Sequence, residues 1–209
     1  MNEGPTAPAP AGKRERTKTH NRAAILEAAR EVFAELGYGA ASVRDVIRRT
    51  DLASGTFYNY FPDKESVLRA LVEDQAGELR RRLREARAEA SSLDEFVRAG
   101  YRAYFDFIAG DRAAFELMRR NSGTIRTLVD EPAMGAGVED LRRDLAAAAE
   151  LGALPPLDVE YMAAAMTGVG IEVAMRMVER APVDVEGATD FATALFLGGI
   201  ARLAEPARS

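Results

Sequence analysis

Cysteine and tryptophan are absent from these 209 residues, and histidine occurs once, as His20. Without cysteine there is no disulfide, no thiolate nucleophile and no cysteine-held zinc, and a lone histidine cannot build a metal cluster or a proton relay. Long apolar runs are missing as well. The longest uncharged stretches, residues 52–62, 161–171 and 191–201, are eleven residues each, whereas a membrane-spanning helix needs roughly 18 or more. Residues 1–12 are rich in proline and alanine and lack both the basic start and the apolar centre of a secretion signal. There is no Gly-x-Ser-x-Gly nucleophile turn and no phosphate-binding glycine loop. The expectation is a soluble cytoplasmic chain that is not an enzyme and carries no cofactor or metal.

What is present has globular proportions, with 47% hydrophobic and 29% charged residues. The length allows one sizeable domain, or a small one joined to a larger one. The net charge of −5 is unevenly placed. Residues 1–60 hold nine basic against seven acidic side chains, and residues 61–209 hold nineteen against twenty-six. Lys13, Arg14, Arg16, Lys18 and Arg22 face only Glu15 in the same stretch. A basic tip on an acidic body attracts a polyanion such as DNA, although a basic arm also serves as a plain solubilising tail.

Helical spacing dominates the rest of the chain, and no stretch alternates as a strand would. Ile25, Ala29, Val32, Phe33 and Leu36 form one helix face from about residue 21, with Thr19 or Asn21 as its cap and Gly37 as its stop. Ser42-Val-Arg-Asp45 is a capping box opening a short helix over 43–50, and a second short helix spans 54–60, ended by Pro62. Asp63 caps a long helix to about residue 89, and Ser92-Leu-Asp-Glu95 opens an aromatic helix that Gly110 closes. A helix from Asp111 to Arg120 follows. Further helical segments lie on either side of a loop expected around Pro132, Gly135 and Gly137. Two last helices, about 159–180 and 185–203, are rich in methionine, phenylalanine and small residues. Helices this apolar need a large partner surface, which is either a homodimer interface or the core of a monomer.

The two short helices beside a basic arm have the geometry of a helix-turn-helix that enters a major groove. Phe57 and Phe61, four apart, can anchor the second helix, which leaves Thr56, Tyr58 and Tyr60 facing elsewhere. Phenol and threonine hydroxyls suit phosphate oxygens and base edges. The runs Ala28-Ala29-Arg-Glu-Val-Phe33, Gly37-Tyr-Gly39, Ser42-Val-Arg-Asp-Val46 and Gly55-Thr-Phe-Tyr-Asn-Tyr-Phe-Pro-Asp-Lys-Glu65 resemble the TetR/AcrR family of bacterial transcriptional repressors over about residues 20–68.

That resemblance implies an all-α fold of about nine helices. It implies a disordered basic arm at 1–18, a helix-turn-helix DNA-binding domain at 19–65, and a helical effector-binding and dimerisation domain at 66–209. It places Arg44, Ser54, Gly55 and Thr56 at base-facing positions, and Thr56, Tyr58, Tyr60 and Lys64 at phosphates of a palindromic operator in double-stranded DNA. The sequence departs from the family pattern at the turn, where Asp51, Ala53 and Ser54 stand in place of glycine, serine and a basic residue. Ser54 then becomes the candidate helix cap, and the operator sequence is the property most affected.

The body offers Tyr101, Tyr104, Phe105, Phe115, Met118, Met162 and Met166 for an apolar effector pocket, with Arg119 placed to meet a carboxylate or phosphate. The same stripes are equally the pattern of a plain helical core. The body is similar, over Arg119-Arg-Asn-Ser-Gly-Thr-Ile125 and Val183-Asp-Val-Glu-Gly187, to lipid-sensing members of the family that bind acyl-CoA. The resulting expectation is a homodimeric repressor, joined through its last two helices and released by a small apolar ligand such as a fatty acid or acyl-CoA. A helical scaffold that uses its apolar faces only to assemble is the competing class.

Overall fold

A computed structural model describes residues 12–111, 114, 115, 117, 119, 131–155 and 157–204. Among these residues there is no strand, and eight helices have described bounds: α1 (Lys13–Leu36), α2 (Val43–Arg48), α3 (Ser54–Tyr58), α4 (Lys64–Ala88), α5 (Leu93–Gly110), α6 (Glu131–Glu150), α7 (Val159–Val178) and α8 (Val185–Ala204). No helix among them is long and apolar enough to cross a membrane. The chain divides into two compact units, Met1–Leu71 and Val72–Ser209, so the division falls inside α4, a little beyond residue 65.

In the first unit, α1 begins at Lys13, inside the segment expected as an arm. Thr19 does not cap it; its hydroxyl donates to the Glu15 carbonyl within the helix. The helix ends at Gly37, whose φ of +76° is a left-handed conformation that a Cβ would strain. Ser42 and Asp45 form the complete capping box of α2, each side chain bonded to the other's backbone N–H. Hydrogen bonding to Ser42 also holds the Asp45 carboxyl below the usual carboxylate range. The α3 cap differs from expectation: Ala53 occupies it without any side-chain bond, and Ser54 is already the first helical residue. Five residues cannot sustain a helix alone. Phe57 and Phe61, 1% and 5% exposed, hold it against the unit's core with Ile25, Ala29, Phe33 and Val46. Asp63 caps α4 by accepting from Ser66 N–H at 2.7 Å, and Val67 and Leu68 are fully buried in its first turns.

The second unit is a bundle of the remaining helices around Val97, Phe105, Leu145, Met166, Met177 and Phe196. Ser92 accepts from Glu95 N–H, but Glu95 turns back to Ser91 instead of completing a box with Ser92. The loop expected around Pro132 and the two following glycines is instead part of α6. Residues 114, 115, 117 and 119 are helical, as expected for the segment after Asp111. Asp158 starts α7 by accepting from Tyr161 N–H at 3.0 Å. The small residues Ala163, Ala174 and Ala192 are fully buried and allow α7 and α8 to approach their neighbours closely.

Candidate functional site

The first unit presents a polar face built on α2 and α3. Arg49 anchors the end of α2 to α1 through ion pairs with Glu31, at 2.9 Å, and Glu35. Thr50 secures the turn, donating to the Ile47 carbonyl at 2.9 Å and accepting from Leu52 N–H at 3.3 Å. With both helices fixed, Arg44 on α2 and Ser54 and Gly55 on α3 are exposed, and Thr56 and Tyr60 are half-buried. A Cβ at Gly55 would meet nothing within 4 Å, so close approach there is open to a partner. Tyr58 is 57% exposed, its ring edge-on to Phe57 at 5.4 Å. Arg44 forms no ion pair among the described residues. Arg48, one turn further on, shares its exposure, and nothing in the motif pattern singles it out. This face offers two guanidinium groups and a phenol on rigid helices.

Lys64, which the resemblance places at a phosphate, makes contacts of its own within the chain. Its ammonium donates to the carbonyls of Tyr38, Gly39 and Ala41 at 2.9, 3.4 and 2.8 Å, and lies 4.6 Å from the centre of the Tyr38 ring. Three donors meet three acceptors. The side chain ties the start of α4 to the loop between α1 and α2, and burial of the Tyr38 phenol raises its pKa.

The second unit contains a cavity of about 240 Å³. Leu79, Leu83 and Arg87 of α4 form one side of it, Phe96, Gly100, Tyr101 and Tyr104 of α5 another, Val138 and Leu141 of α6 a third, and Met166, Thr167 and Ile171 of α7 the last. Tyr101 donates to the Met166 carbonyl at 3.0 Å, and burial raises its pKa. Burial likewise pushes Tyr104 up to about 12, so both phenols are neutral donors at physiological pH. Gly170 lets both rings pack on α7, at the 3.5 and 3.6 Å where a Cβ would stand.

Of the residues expected in the pocket, Tyr101, Tyr104 and Met166 line this cavity. Phe105 is fully buried in the core, Phe115 and Met162 pack against that core, and Arg119 is exposed. Met118 lies outside the described residues. Arg87 replaces Arg119 as the cavity's cation. Its position in a heavily charged stretch of helix carries no sequence signal, because only the packing of α5 and α6 on α4 buries it.

Near the end of the chain, Ile171 of α7 and Phe191 and Leu195 of α8 are 43%, 60% and 49% exposed. Ala164, Gly168, Ala194 and Gly198 are exposed beside them. An apolar, small-residue face of this kind on two adjoining helices is unusual for a surface left in water.

Residues 25–71 match the family model of bacterial regulatory proteins, tetR family. The chain is 33% identical over 87 residues to the fatty acid metabolism regulator protein of Bacillus subtilis, a stretch covering 42% of this chain and 45% of that relative. It therefore spans about half the length of the curated relative it matches. A bacterial regulatory protein of the tetR family from Rhodococcus RHA1 superposes with a TM-score of 0.71 at 25% identity, over 86% of this chain and 96% of that one. The transcriptional regulator FadR from Bacillus subtilis, solved in complex with stearoyl-CoA, superposes with a TM-score of 0.70 at 23% identity, over 85% and 98%.

Proposed function

We propose that this chain, whose residues 25–71 match the family model of bacterial regulatory proteins, tetR family, is a member of that family and a dimeric repressor of transcription whose grip on a palindromic operator is released by an acyl ligand. The observation that carries the DNA reading is the outward face of α2 and α3, with exposed Arg44, Ser54, Gly55 and Tyr58 on helices whose inner sides are buried. Arg44 and the first residues of α3 read base edges, and Thr56, Tyr58 and Tyr60 contact phosphates. Arg48, exposed one turn after Arg44, contacts the DNA backbone.

The ligand reading rests on the cavity, which is apolar, bounded by helices and supplied by the same α4 that carries Val67 and Leu68 of the first unit. A ligand against Leu79 and Leu83 acts on that helix directly. For it to release DNA, it must bind the state with lower operator affinity more tightly. The relative solved with stearoyl-CoA makes a fatty acid or its CoA thioester the first ligand to try. Two copies joined through the exposed faces of α7 and α8, around Phe191 and Leu195, would present two reading heads to successive turns of DNA. The residues up to 18 provide basic charge for the approach to DNA, and α7 and α8 complete the dimer.

Fluorescence anisotropy with duplexes from upstream of the protein's own gene, at two salt concentrations and against unrelated competitor DNA, tests the DNA reading. Binding that resists competitor, falls about tenfold in Tyr58→Phe and Arg44→Ala, and is reversed by acyl ligand is expected. Binding that is equally weak for every duplex, including sites selected from random DNA, would remove it.

A further inference from the structure

Tyr104 differs from the other polar groups of the cavity wall. Tyr101, one turn earlier on α5, donates its hydroxyl proton to the Met166 carbonyl at 3.0 Å. The Tyr104 hydroxyl has no hydrogen bond among the described residues. Nor is it sealed away: the fully buried side-chain atoms without a partner belong to Arg69, Arg87 and Thr193. The phenol therefore keeps open surface, and the space that Tyr104 lines is the cavity. Its ring is held in place, with Cε1 3.6 Å from where a Cβ on Gly170 would stand and the Phe105 ring 5.7 Å away. A desolvated hydroxyl without an acceptor is costly, so an acceptor from outside the chain gains more here than at a solvated site.

The remaining polar side chains of the wall have less need of a ligand. Thr167 lies within α7, and rotation about one bond brings its hydroxyl to the Ala163 carbonyl of its own helix. Arg87 is committed. Its Nη1 pairs with Asp144 at 3.6 Å, its guanidinium carbon lies 5.5 Å from the centre of the Phe96 ring, and its Nε is buried where a Cβ on Gly100 would stand 3.3 Å away. Among the lining residues no cation is left to meet an entering carboxylate. Transfer of an ionised group into apolar surroundings without a countercharge is strongly unfavourable. An uncharged carbonyl oxygen asks only for a donor, and a neutral phenol is one.

We propose that the Tyr104 hydroxyl donates to the carbonyl oxygen of an uncharged acyl compound, an ester or a thioester, held in this cavity, which thereby discriminates against the free fatty acid. The inference rests on reading the cavity as an acyl site and narrows that reading to the un-ionised carbonyl. The chain lies along Leu79, Leu83, Val138 and Leu141. An apolar cavity of about 150 Å³ holds benzene, so one of about 240 Å³ takes roughly ten non-hydrogen atoms without rearrangement. That is the size of an octanoyl ester.

Calorimetric titration of the full chain with methyl octanoate, octanoyl-CoA, octanoate and pentylbenzene at neutral pH tests the proposal on the wild type and Tyr104→Phe. The wild type binds the ester at least about tenfold more tightly than octanoate. Tyr104→Phe keeps the ring and loses no bond within the chain, so its melting temperature without ligand is unchanged. It binds the ester about fivefold to tenfold more weakly, and pentylbenzene as the wild type does to within about twofold. In the wild type the infrared carbonyl band of the bound ester lies below its position in alkane, and in the variant it returns towards that position. A merely structural role would not move this band. Octanoyl-CoA binding with the same dependence on Tyr104 assigns the carbonyl to a thioester, and binding of the methyl ester alone assigns it to an ester; both support the hydrogen bond. Ester affinity in Tyr104→Phe within about twofold of the wild type, a wild type that prefers octanoate, or a wild-type carbonyl band at the alkane position overturns the Tyr104 contact alone. A wild type that binds none of the three acyl compounds overturns the acyl reading of the cavity together with it.

Discussion

Lys64 shows how a long side chain at a motif position is claimed by the fold. Its ammonium satisfies three carbonyls of the loop after α1, so its removal is felt first as lost stability. Replacing it by methionine keeps the aliphatic stem and removes the donors. Lys64→Met is expected to lower the free energy of unfolding by about 1–3 kcal/mol in urea titration, with operator affinity well below the melting temperature unchanged. A loss of affinity with unchanged stability, and a salt slope reduced by about one, would instead mark a phosphate contact. Asp140 illustrates a carboxylate whose contribution depends on pH. Hydrogen bonds from Arg80 hold it below its ordinary value of 3.8, against the opposing pull of burial. Its stabilisation is therefore complete above that value and is lost as pH falls through the lower, folded-state pKa. Urea midpoints are expected to fall on acidification from about pH 5 to pH 3, and Asp140→Asn lowers the midpoint at neutral pH and flattens that fall. Asp144 works in the opposite sense: burial raises its pKa, so it takes up its proton early and offsets part of the loss.

Among the elements, α3 and α6 represent two different sources of helix stability. The five residues of α3 are too few to pass the nucleation cost, so their geometry depends on Phe57 and Phe61. Phe57→Ala removes a side chain that is 1% exposed and is expected to cost about 3–5 kcal/mol, read by thermal or chemical unfolding. Helix α6 crosses two glycines that read as a break and stays helical because tertiary packing outweighs a local penalty of about 1 kcal/mol each. Gly135 is exposed, and a Cβ there would meet nothing within 4 Å. Gly135→Ala is accordingly expected to stabilise the protein by about 0.5–1 kcal/mol, a gain visible as a raised melting temperature.

The whole molecule joins a basic beginning to an acidic remainder, with a net charge of −5. If the first unit meets DNA, its basic residues release counterions and make affinity fall with salt, whereas repulsion of the acidic body from the same phosphates, which salt screens, makes that fall shallower. The exposed Phe191 and Leu195 belong to a surface whose occupant in our reading is a second copy. Phe191→Glu with Leu195→Glu is expected to shift the protein from dimer to monomer in sedimentation, with helical content retained and operator affinity reduced more than tenfold because each monomer meets only half a site. A double variant that remains dimeric would place the interface elsewhere.

Much of this was legible in the residues themselves because the signals are local. Helix periodicity, the Ser42 and Asp45 box, the Gly37 stop, the Asp63 cap and the Phe57 and Phe61 anchors each operate within a turn or two of chain, as did the all-helical class. The outward placement of Tyr58 followed from the same spacing. Other features depended on partners distant in sequence. Lys64 found acceptors more than twenty residues away, and Arg87 became a buried cation only where α5 and α6 pack over α4. Tyr101, Tyr104 and Met166 reached the cavity while Phe105, on the same helix, went to the core, since a few tens of degrees around an axis separate the two. Charge, caps and period are written along one dimension, but burial and cavity shape belong to the packed helices, and the electrostatic cost that makes Arg87 and Asp140 unusual exists only once water has been excluded.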